Sequence, residues 1–254
     1  MQRFTDRRVL ITGGGSGIGQ ATVHRLLAEG GRVVAVDVNQ AGLAATAERA
    51  AADGTAERLT AAVLDISDEA SVVAGVAAAV EALGGLDVLV NAAGILRSSH
   101  THETTLDFWN TLLKVNLTGT FLMTREALPA LLERPGSVVV NFSSTSASFA
   151  HPYMAAYAAT KGGIQSFTHA IAQEYSKQGL RAVCVAPGSI ASGMTSNPGL
   201  PADADFSLLG KLAPALGQGF AGPETVAGVI AMLASDDGAF VTGTELRIDG
   251  GTHM

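Results

Sequence analysis

Cysteine, positive charge and long hydrophobic runs are all scarce in this sequence. Cys184 is the only cysteine, so no disulfide can form within the chain. Lys and Arg number 16 against 23 Asp and Glu, which gives a formal net charge of −7. Because no basic excess or basic run is present, nucleic acid and anionic membrane surfaces are not expected as partners.

No part of the sequence predicts a membrane span. The most apolar runs, such as residues 72–80, are far shorter than the roughly 20 apolar residues that a spanning helix needs. Residues 1–8 lead directly into a β-like run and do not resemble a secretion signal. We therefore expect a soluble, cytoplasmic protein.

The chain alternates between β-like and helical patterns. Hydrophobic residues make up 47% of it, enough for a sizeable core. Short β-branched runs predict strands at 8–12, 33–37, 62–65, 86–91, 137–143, 181–186 and 245–248. Apolar residues at three- and four-residue intervals predict helices at 21–28, 40–52, 69–83, 106–132, 157–176 and 224–234. The alternation predicts a single α/β domain over 1–254, a doubly wound, seven-stranded parallel sheet with helices on both faces.

Two segments stand out from this pattern. Residues 193–222 are rich in Gly, Pro, Ser and Ala, and a loop of this length in a compact domain predicts a substrate lid. Cys184 lies in the apolar run 182–186, which predicts a thiol buried in a strand, with a reactive thiol as the alternative.

A glycine-rich loop follows the first predicted strand. Residues 12–19 read Thr-Gly-Gly-Gly-Ser-Gly-Ile-Gly and open a helix. Such a loop lets backbone N–H groups approach a diphosphate, whose charge is favoured at a helix N-terminus. The predicted cofactor contacts here are Gly13, Ser16, Gly17, Ile18 and Gly19. A methyltransferase or a plain turn can also carry such a loop.

Acidic residues follow the next two strands. Asp37 lies 18 residues beyond Gly19, where a carboxylate accepts hydrogen bonds from the adenosine ribose and repels a 2′-phosphate. The following Val38 and Asn39 offer no cation, so the sequence favours NAD over NADP. Asp65, with Ile66, is predicted to contact the adenine, or alternatively Asp65 begins the capping of the next helix.

Tyr157 and Lys161 are four residues apart in a predicted helix, so their side chains share one face. A lysine ammonium and a positively charged nicotinamide ring would lower the pKa of the tyrosine from its usual value of about 10. Ser144 follows a strand and is placed to hydrogen-bond a substrate oxygen. Asn116 interrupts an amphipathic helix, which indicates a kink or a water site.

Together these motifs resemble the short-chain dehydrogenase/reductase family, and the resemblance runs nearly end to end. It is carried by the loop 12–19, by Asn91-Ala92-Ala93-Gly94, by Pro187-Gly188, by Asp249-Gly250-Gly251, and by Asn116, Ser144, Tyr157 and Lys161. The resemblance implies a Rossmann fold. It also implies cofactor contacts from Asn91, Ala92, Gly94, Tyr157, Lys161, Pro187, Gly188, Ile190 and Ser192.

The resemblance further implies a role for each catalytic residue. Tyr157 would be the general acid/base, and Lys161 would bind the nicotinamide ribose and lower the pKa of Tyr157. Ser144 would orient the carbonyl and Asn116 would support a proton-relay water. A homotetramer, built through helices 106–132 and 157–176 and the last strand, is also implied.

Two positions depart from the family pattern. Ser192 stands where the family usually has a threonine that contacts the nicotinamide amide, and it keeps the hydroxyl. Gln218 stands where many relatives carry arginine, which leaves the anchoring of the lid and the likeness to acyl-carrier enzymes open.

The candidate substrate pocket is mostly apolar. Its predicted walls are Ile95, Leu96, Ser146, His151, Tyr153, Met154 and Met194, with Phe206, Leu208, Leu209, Leu212 and Phe220 from the lid. Direct substrate contacts are predicted for Ser144, Ser146, Tyr157 and Met194. His151 is predicted to be a surface residue, or alternatively to orient the substrate. His100 and His102, with Glu103, are expected to be solvated, and no metal is predicted.

The sequence thus predicts an NAD-dependent oxidoreductase that interconverts a small, neutral, hydrophobic secondary alcohol and a ketone. A 3-oxoacyl-(acyl-carrier-protein) reductase that uses NADPH is the alternative enzyme. A non-catalytic NAD-binding sensor or scaffold and a methyltransferase are further alternatives. Neither function explains why Ser144, Tyr157 and Lys161 occur together.

Overall fold

The computed structural model describes residues 2–217 and 219–254, and its centre is a seven-stranded parallel sheet. The strands are β1 Arg8–Thr12, β2 Arg32–Asp37, β3 Leu59–Val63, β4 Val88–Asn91, β5 Val138–Phe142, β6 Arg181–Pro187 and β7 Glu245–Ile248. They lie in the order β3-β2-β1-β4-β5-β6-β7. This order confirms the predicted doubly wound Rossmann fold, with its topological switch between β1 and β4.

Helices cover both faces of the sheet. They are α1 Gly17–Ala28, α2 Gln40–Ala52, α3 Glu69–Leu83, α4 Leu106–Leu112, α5 Gly119–Leu132, α6 Ala155–Glu174, α7 Gly193–Ser196, α8 Phe206–Leu209 and α9 Pro223–Leu233. Alternate strand residues enter different cores: Val9 and Ile11 pack with α1 and α9, whereas Leu10 packs with α3 and α5. Both faces of the central strands are therefore buried.

The third strand has different bounds from those predicted. It spans Leu59–Val63 rather than 62–65, and it pairs with β2 at the edge of the sheet. Most of its residues are exposed, so no buried β-branched run marks them in the sequence. Asp65 and Ile66 consequently lie in the loop beyond the strand.

The predicted helix 106–132 is interrupted where Asn116 indicated a kink. A π-helical turn, Leu113–Thr118, separates α4 from α5, and Asn116 is completely buried within it. Such turns widen a helix locally and are frequent at functional sites. The interruption brings the Asn116 side chain toward the end of β4.

Residues 193–222 contain only short helical pieces among the residues described, namely α7, α8 and a single turn at Gly210–Leu212. The Ala191 N–H donates to Ala221 O (2.8 Å) and the Leu216 N–H donates to Gly250 O (2.8 Å). The segment is thus tied to the end of β6 and to the chain terminus. That it acts as a lid stays a prediction.

Two further sequence predictions concern burial and length. Cys184 is buried within β6, and burial raises the pKa of its thiol to about 11, which favours the buried-thiol interpretation over the reactive one. Within the described part of the chain, no helix is both long enough and apolar enough to cross a membrane.

Candidate active site

A cleft of about 1130 Å³ lies along the carboxyl ends of the strands, as expected for this fold. It brings together most of the predicted site residues. Those on its wall are Gly13, Ser16, Gly17, Ile18, Gly19, Asp37, Asp65, Ile66, Ala92, Gly94, Ser144, Tyr157, Lys161, Pro187, Gly188, Ile190, Ser192 and Met194. Asn91, Asn116 and Ser146 do not line it.

Asn91 and Ser146 lie behind the wall. Asn91 Nδ2 donates to Thr124 Oγ1 (3.0 Å) and to Asn141 Oδ1 (2.9 Å), so this side chain links β4 to β5 and α5. The backbone N–H of Ser146 donates to Ser144 Oγ (3.2 Å), while the Ser146 hydroxyl is buried without a partner among the described residues. Both residues thus support their neighbours and present no side chain to the cleft.

Asn116 holds the chain that leaves β4. Its Oδ1 accepts from Ile95 N (2.8 Å), and its Nδ2 donates to Ile95 O (2.9 Å) and to Thr160 Oγ1 (3.2 Å). The side chain therefore fixes Ile95, which lines the cleft, against α6. Support of a proton-relay water by Asn116 stays a prediction.

The glycine loop leads directly into α1, whose first backbone N–H groups have no acceptor within the helix. Gly13 and Gly17 have φ values of +71° and +51°, and a Cβ at Gly19 would lie 2.1 Å from Gly13 O. Ser16 caps α1 without a side-chain hydrogen bond, and the first turn contains no acidic residue. The first N–H groups of the helix can therefore donate hydrogen bonds to an anion, and the loop fits a dinucleotide diphosphate.

The Asp37 carboxylate is fixed on the cleft wall beside this loop. Its Oδ2 accepts from Gly15 N (3.0 Å), and its Oδ1 accepts from Asn39 N (2.9 Å). Among the described residues that line the cleft, Lys161 is the only Lys or Arg. No basic side chain accompanies Asp37 on the wall, so a ribose diol fits there better than a 2′-phosphate.

Asp65 lines the cleft, and its Oδ1 accepts from Ser67 N (2.8 Å) in the turn that leads to α3. Contact between Asp65 and the adenine stays a prediction. Asp68 is the N-cap residue of α3 but makes no side-chain capping bond. The carboxylate of Asp65 thus shapes the turn that brings Ile66 to the cleft.

Tyr157 and Lys161 lie one turn apart near the start of α6, with the lysine Nζ 5.6 Å from the centre of the phenol ring. Nζ donates to Phe142 O (2.9 Å), at the end of β5. Burial lowers the pKa of Lys161 to about 8. The hydrogen bond from Lys161 Nζ to Phe142 O fixes the ammonium near the tyrosine ring.

The tyrosine is held as a neutral phenol. Burial raises the pKa of Tyr157 to about 12, although the hydrogen bond with the Ser144 hydroxyl acts in the opposite direction. The expected lowering of this pKa is therefore not produced by the protein's own groups, because the cost of burying a phenolate outweighs them. A further positive charge in the cleft would favour removal of the proton.

The interpretation of His151 as a surface residue is wrong. It lines the cleft, and its Nε2 lies 3.1 Å from Thr145 Oγ1. Burial, and secondarily the nearby His253, lowers the pKa of His151 to about 4, so the imidazole is neutral near pH 7. The sequence placed His151 near the pocket but gave no sign of its burial.

Several polar residues of the cleft wall were not predicted from the sequence. Ser189, Thr195 and Thr252 line the cleft. Thr195 Oγ1 donates to Ile190 O (2.8 Å), next to the predicted contact Ser192. Thr252 comes from the chain terminus, which no local pattern connects with the cleft.

Two residues that do not line the cleft, His100 and Tyr153, hold the segment 193–222. His100 Nε2 lies 2.9 Å from Asp203 Oδ1, and the Asp205 N–H donates to the Tyr153 hydroxyl (2.8 Å). The His100 and Tyr153 rings meet edge to face, with centroids 5.2 Å apart. This contact pairs His100 with a carboxylate instead of leaving it solvated, whereas the His102 side chain is largely exposed.

The other residues that were predicted to form the pocket wall fall into two groups. Ile95, Leu96, Met154, Leu209, Leu212 and Phe220 line the cleft, whereas Tyr153, Phe206 and Leu208 do not. Phe206 and Leu208 are exposed on α8. Gln218 lies outside the residues that the structure describes. Within residues 2–217 and 219–254, no three His, Cys, Asp or Glu side chains are grouped as a metal site requires.

Comparison with known proteins agrees with this geometry. A family model described as "Enoyl-(Acyl carrier protein) reductase" matches residues 13–253. Levodione reductase of Leifsonia aquatica is 38% identical over 256 residues, which cover 98% of this chain and 95% of that protein.

Solved structures extend the likeness to the whole fold. A short-chain dehydrogenase from Mycobacterium paratuberculosis bound to NAD has a TM-score of 0.90 at 27% identity, with 98% of each chain covered. A short-chain dehydrogenase from Burkholderia cenocepacia in complex with NADP has a TM-score of 0.88 at 31% identity, with 99% of this chain and 100% of that chain covered. The match of sequence, fold and cleft shows that this chain belongs to the short-chain dehydrogenase/reductase family.

Proposed function

We propose that this oxidoreductase interconverts a secondary alcohol and a ketone with NAD as its cofactor. The observation that carries the proposal is the group of Ser144, Tyr157 and Lys161 on the wall of the same cleft as the glycine loop and Asp37. A bound nicotinamide dinucleotide would supply or accept the hydride at the substrate carbon.

In the direction of reduction, Tyr157 donates its phenolic proton to the carbonyl oxygen. Burial keeps this proton in place until the oxygen gains negative charge, because the pKa of Tyr157 is raised. Ser144, which hydrogen-bonds the phenol, is placed to donate to the same oxygen. Lys161 provides a nearby positive charge that stabilises the phenolate left behind. In oxidation, the phenolate takes the proton of the alcohol.

The choice of NAD depends on Asp37. The carboxylate is held by two backbone N–H groups, so it cannot easily turn away from a 2′-phosphate. Relatives of this fold bind either cofactor, so the preference is a property of these residues. The NADPH-dependent 3-oxoacyl-(acyl-carrier-protein) reductase remains the second candidate, favoured by the 35% identity over 249 residues with a 3-oxoacyl-[acyl-carrier-protein] reductase of Thermotoga maritima.

We also propose that residues 193–222 form the substrate lid of a single domain. Met194, Leu209, Leu212 and Phe220 bring apolar side chains to the cleft from this segment. Together with Met154 they favour a small, neutral, hydrophobic substrate. We propose that the exposed Phe121 on α5 and the fully exposed Phe240 before β7 are covered in the expected homotetramer.

The proposed function is tested by titrating the purified protein with NADH and with NADPH, followed by a screen of secondary alcohols with the oxidised form of the tighter cofactor. We expect tighter binding of NADH, and turnover of apolar secondary alcohols. Tighter binding of NADPH together with reduction of 3-oxoacyl thioesters would support the second candidate instead. Binding of NADH without turnover of any alcohol or ketone would indicate a sensor or scaffold.

We expect the contact between His100 and Asp203 to make the proposed lid sensitive to pH. Asp203 raises the pKa of His100, mainly through their hydrogen bond. Because the folded-state pKa is raised, the ion pair is complete below the usual histidine value of about 6.5 and is lost as the pH rises through the raised value. We expect His100→Ala to raise the substrate KM several-fold at pH 6, with little change in kcat, and the difference from wild type to shrink toward pH 9.

His102→Ala is the matched control for this measurement. The His102 side chain is exposed, lies 3.7 Å from Glu103 and makes no hydrogen bond with Asp203, while its ring centroid is 5.6 Å from that of His100. Its KM should follow that of the wild type at every pH. An equal increase in KM for both variants would show that the loop, and not the ion pair, is responsible.

A further inference from the structure

His151 occupies a defined place at the substrate end of the cleft. Its Nε2 lies 3.1 Å from the hydroxyl of Thr145, the residue that follows Ser144. The backbone carbonyl of His151 accepts from Met154 N (3.3 Å), one turn before Tyr157. The imidazole is therefore tied to the residue after Ser144, and the His151 backbone is tied to the turn that leads to Tyr157.

The proposed proton transfer between Tyr157 and the substrate does not use the His151 imidazole. His151 Nδ1 has no hydrogen-bond partner among residues 2–217 and 219–254, although the residue is only partly exposed. Met154, Met194, Leu209, Leu212 and Phe220 make the same end of the cleft apolar. The Nδ1 atom is open to the cleft rather than buried, so it is available to hydrogen-bond a ligand there.

The chemistry of the surroundings restricts what that partner can be. A neutral imidazole offers one N–H donor and one acceptor nitrogen, which suits a hydroxyl or a ketone. Thr145 hydrogen-bonds the ring, and the ring centroid of His253 lies 5.7 Å away. Neither supplies a fixed charge for a carboxylate, a sulfonate or a phosphate.

We propose that His151 hydrogen-bonds a second oxygen of the substrate, so that the preferred substrates are small neutral diols, hydroxyketones or diones. This inference rests on the proposed function, since it assumes that Tyr157 and Ser144 hold the reacting oxygen. One oxygen is bound where proton transfer occurs, and the other is bound by the imidazole. The apolar lid residues cover the carbon skeleton between them.

The test compares cyclohexanol with the 1,2-, 1,3- and 1,4-cyclohexanediols in the wild type, His151→Leu and His151→Gln. The wild type should oxidise the best diol with a kcat/KM at least about tenfold higher than that of cyclohexanol. His151→Leu should lose about 10- to 100-fold in kcat/KM on that diol and less than about threefold on cyclohexanol, which corresponds to one lost hydrogen bond at a buried position. His151→Gln should retain part of the preference.

The outcomes separate this proposal from the one on which it rests. If the wild type oxidises cyclohexanol and the diols equally well, or if His151→Leu lowers both activities by the same factor, the inference is overturned while the oxidoreductase function stands. If the wild type oxidises none of the alcohols and reduces none of the corresponding ketones, the proposed function itself fails. Titration with NADH shows whether each variant is folded, and His151→Gln replaces His151→Leu if the latter is not.

Discussion

The Tyr157→Phe variant is expected to lose more than about 99% of its turnover while binding NADH nearly as tightly as the wild type. General acid/base catalysis contributes roughly two to four orders of magnitude, and the phenolic hydroxyl is the group in this site placed to supply it. Phenylalanine fills the same space on α6 without a transferable proton. Steady-state kinetics in both directions and an NADH titration measure the two effects separately.

The pH dependence of the wild type should reflect the same group. Burial raises the pKa of Tyr157 to about 12 in the protein alone, so the phenol is protonated at neutral pH. Reduction uses the protonated form, so its rate should depend little on pH in the neutral range, whereas oxidation uses the phenolate and should accelerate as the pH rises. Tyr157→Phe should remove this difference in pH dependence between the two directions.

Tyr175→Phe is the control for removal of a hydroxyl at the other end of the same helix. Tyr175 follows the last residue of α6 and does not line the cleft. Its loss should leave kcat within about twofold of the wild type. Residual activity above about one per cent in Tyr157→Phe, with Tyr175→Phe normal, would mean that another group transfers the proton.

The fold was predictable wherever strands are buried on both faces. The residues of β4 and β5 are completely or almost completely buried, so both strands read as short apolar runs. β3 is exposed along most of its length and has no such run. The prediction therefore placed it too late in the chain, on the apolar residues that lead to Asp65.

The candidate site was predictable where function requires a residue type at a strand end or at helical spacing. Glycine at position 19 is required by the close approach of Gly13 O, and Tyr157 and Lys161 share one helix face. Contacts between distant segments were not predictable. His100 meets Asp203, 103 positions later, and no periodicity in either segment indicates that contact.

Replacing the carboxylate of Asp37 by a cation at the neighbouring position is expected to shift the cofactor preference. In the double variant Asp37→Ala/Val38→Arg, the ratio of the Kd values for NADPH and NADH should fall by about 10- to 100-fold. The physical reason is that repulsion between a carboxylate and a 2′-phosphate is exchanged for attraction by a guanidinium. The Val38 side chain is 63% exposed, so arginine can be accommodated beside the cleft without disturbing the core.

The ratio of the two Kd values is the useful measurement because Asp37 also holds the glycine loop. Its carboxylate accepts from Gly15 N and Asn39 N, so removing it should weaken the binding of both cofactors. That loss affects the diphosphate shared by NADH and NADPH and cancels in the ratio. Asp65→Asn is the matched control: it removes one negative charge from the same cleft wall, beyond the next strand. An equal change of the ratio in both variants would mean that the overall charge of the cleft, and not Asp37, selects the cofactor.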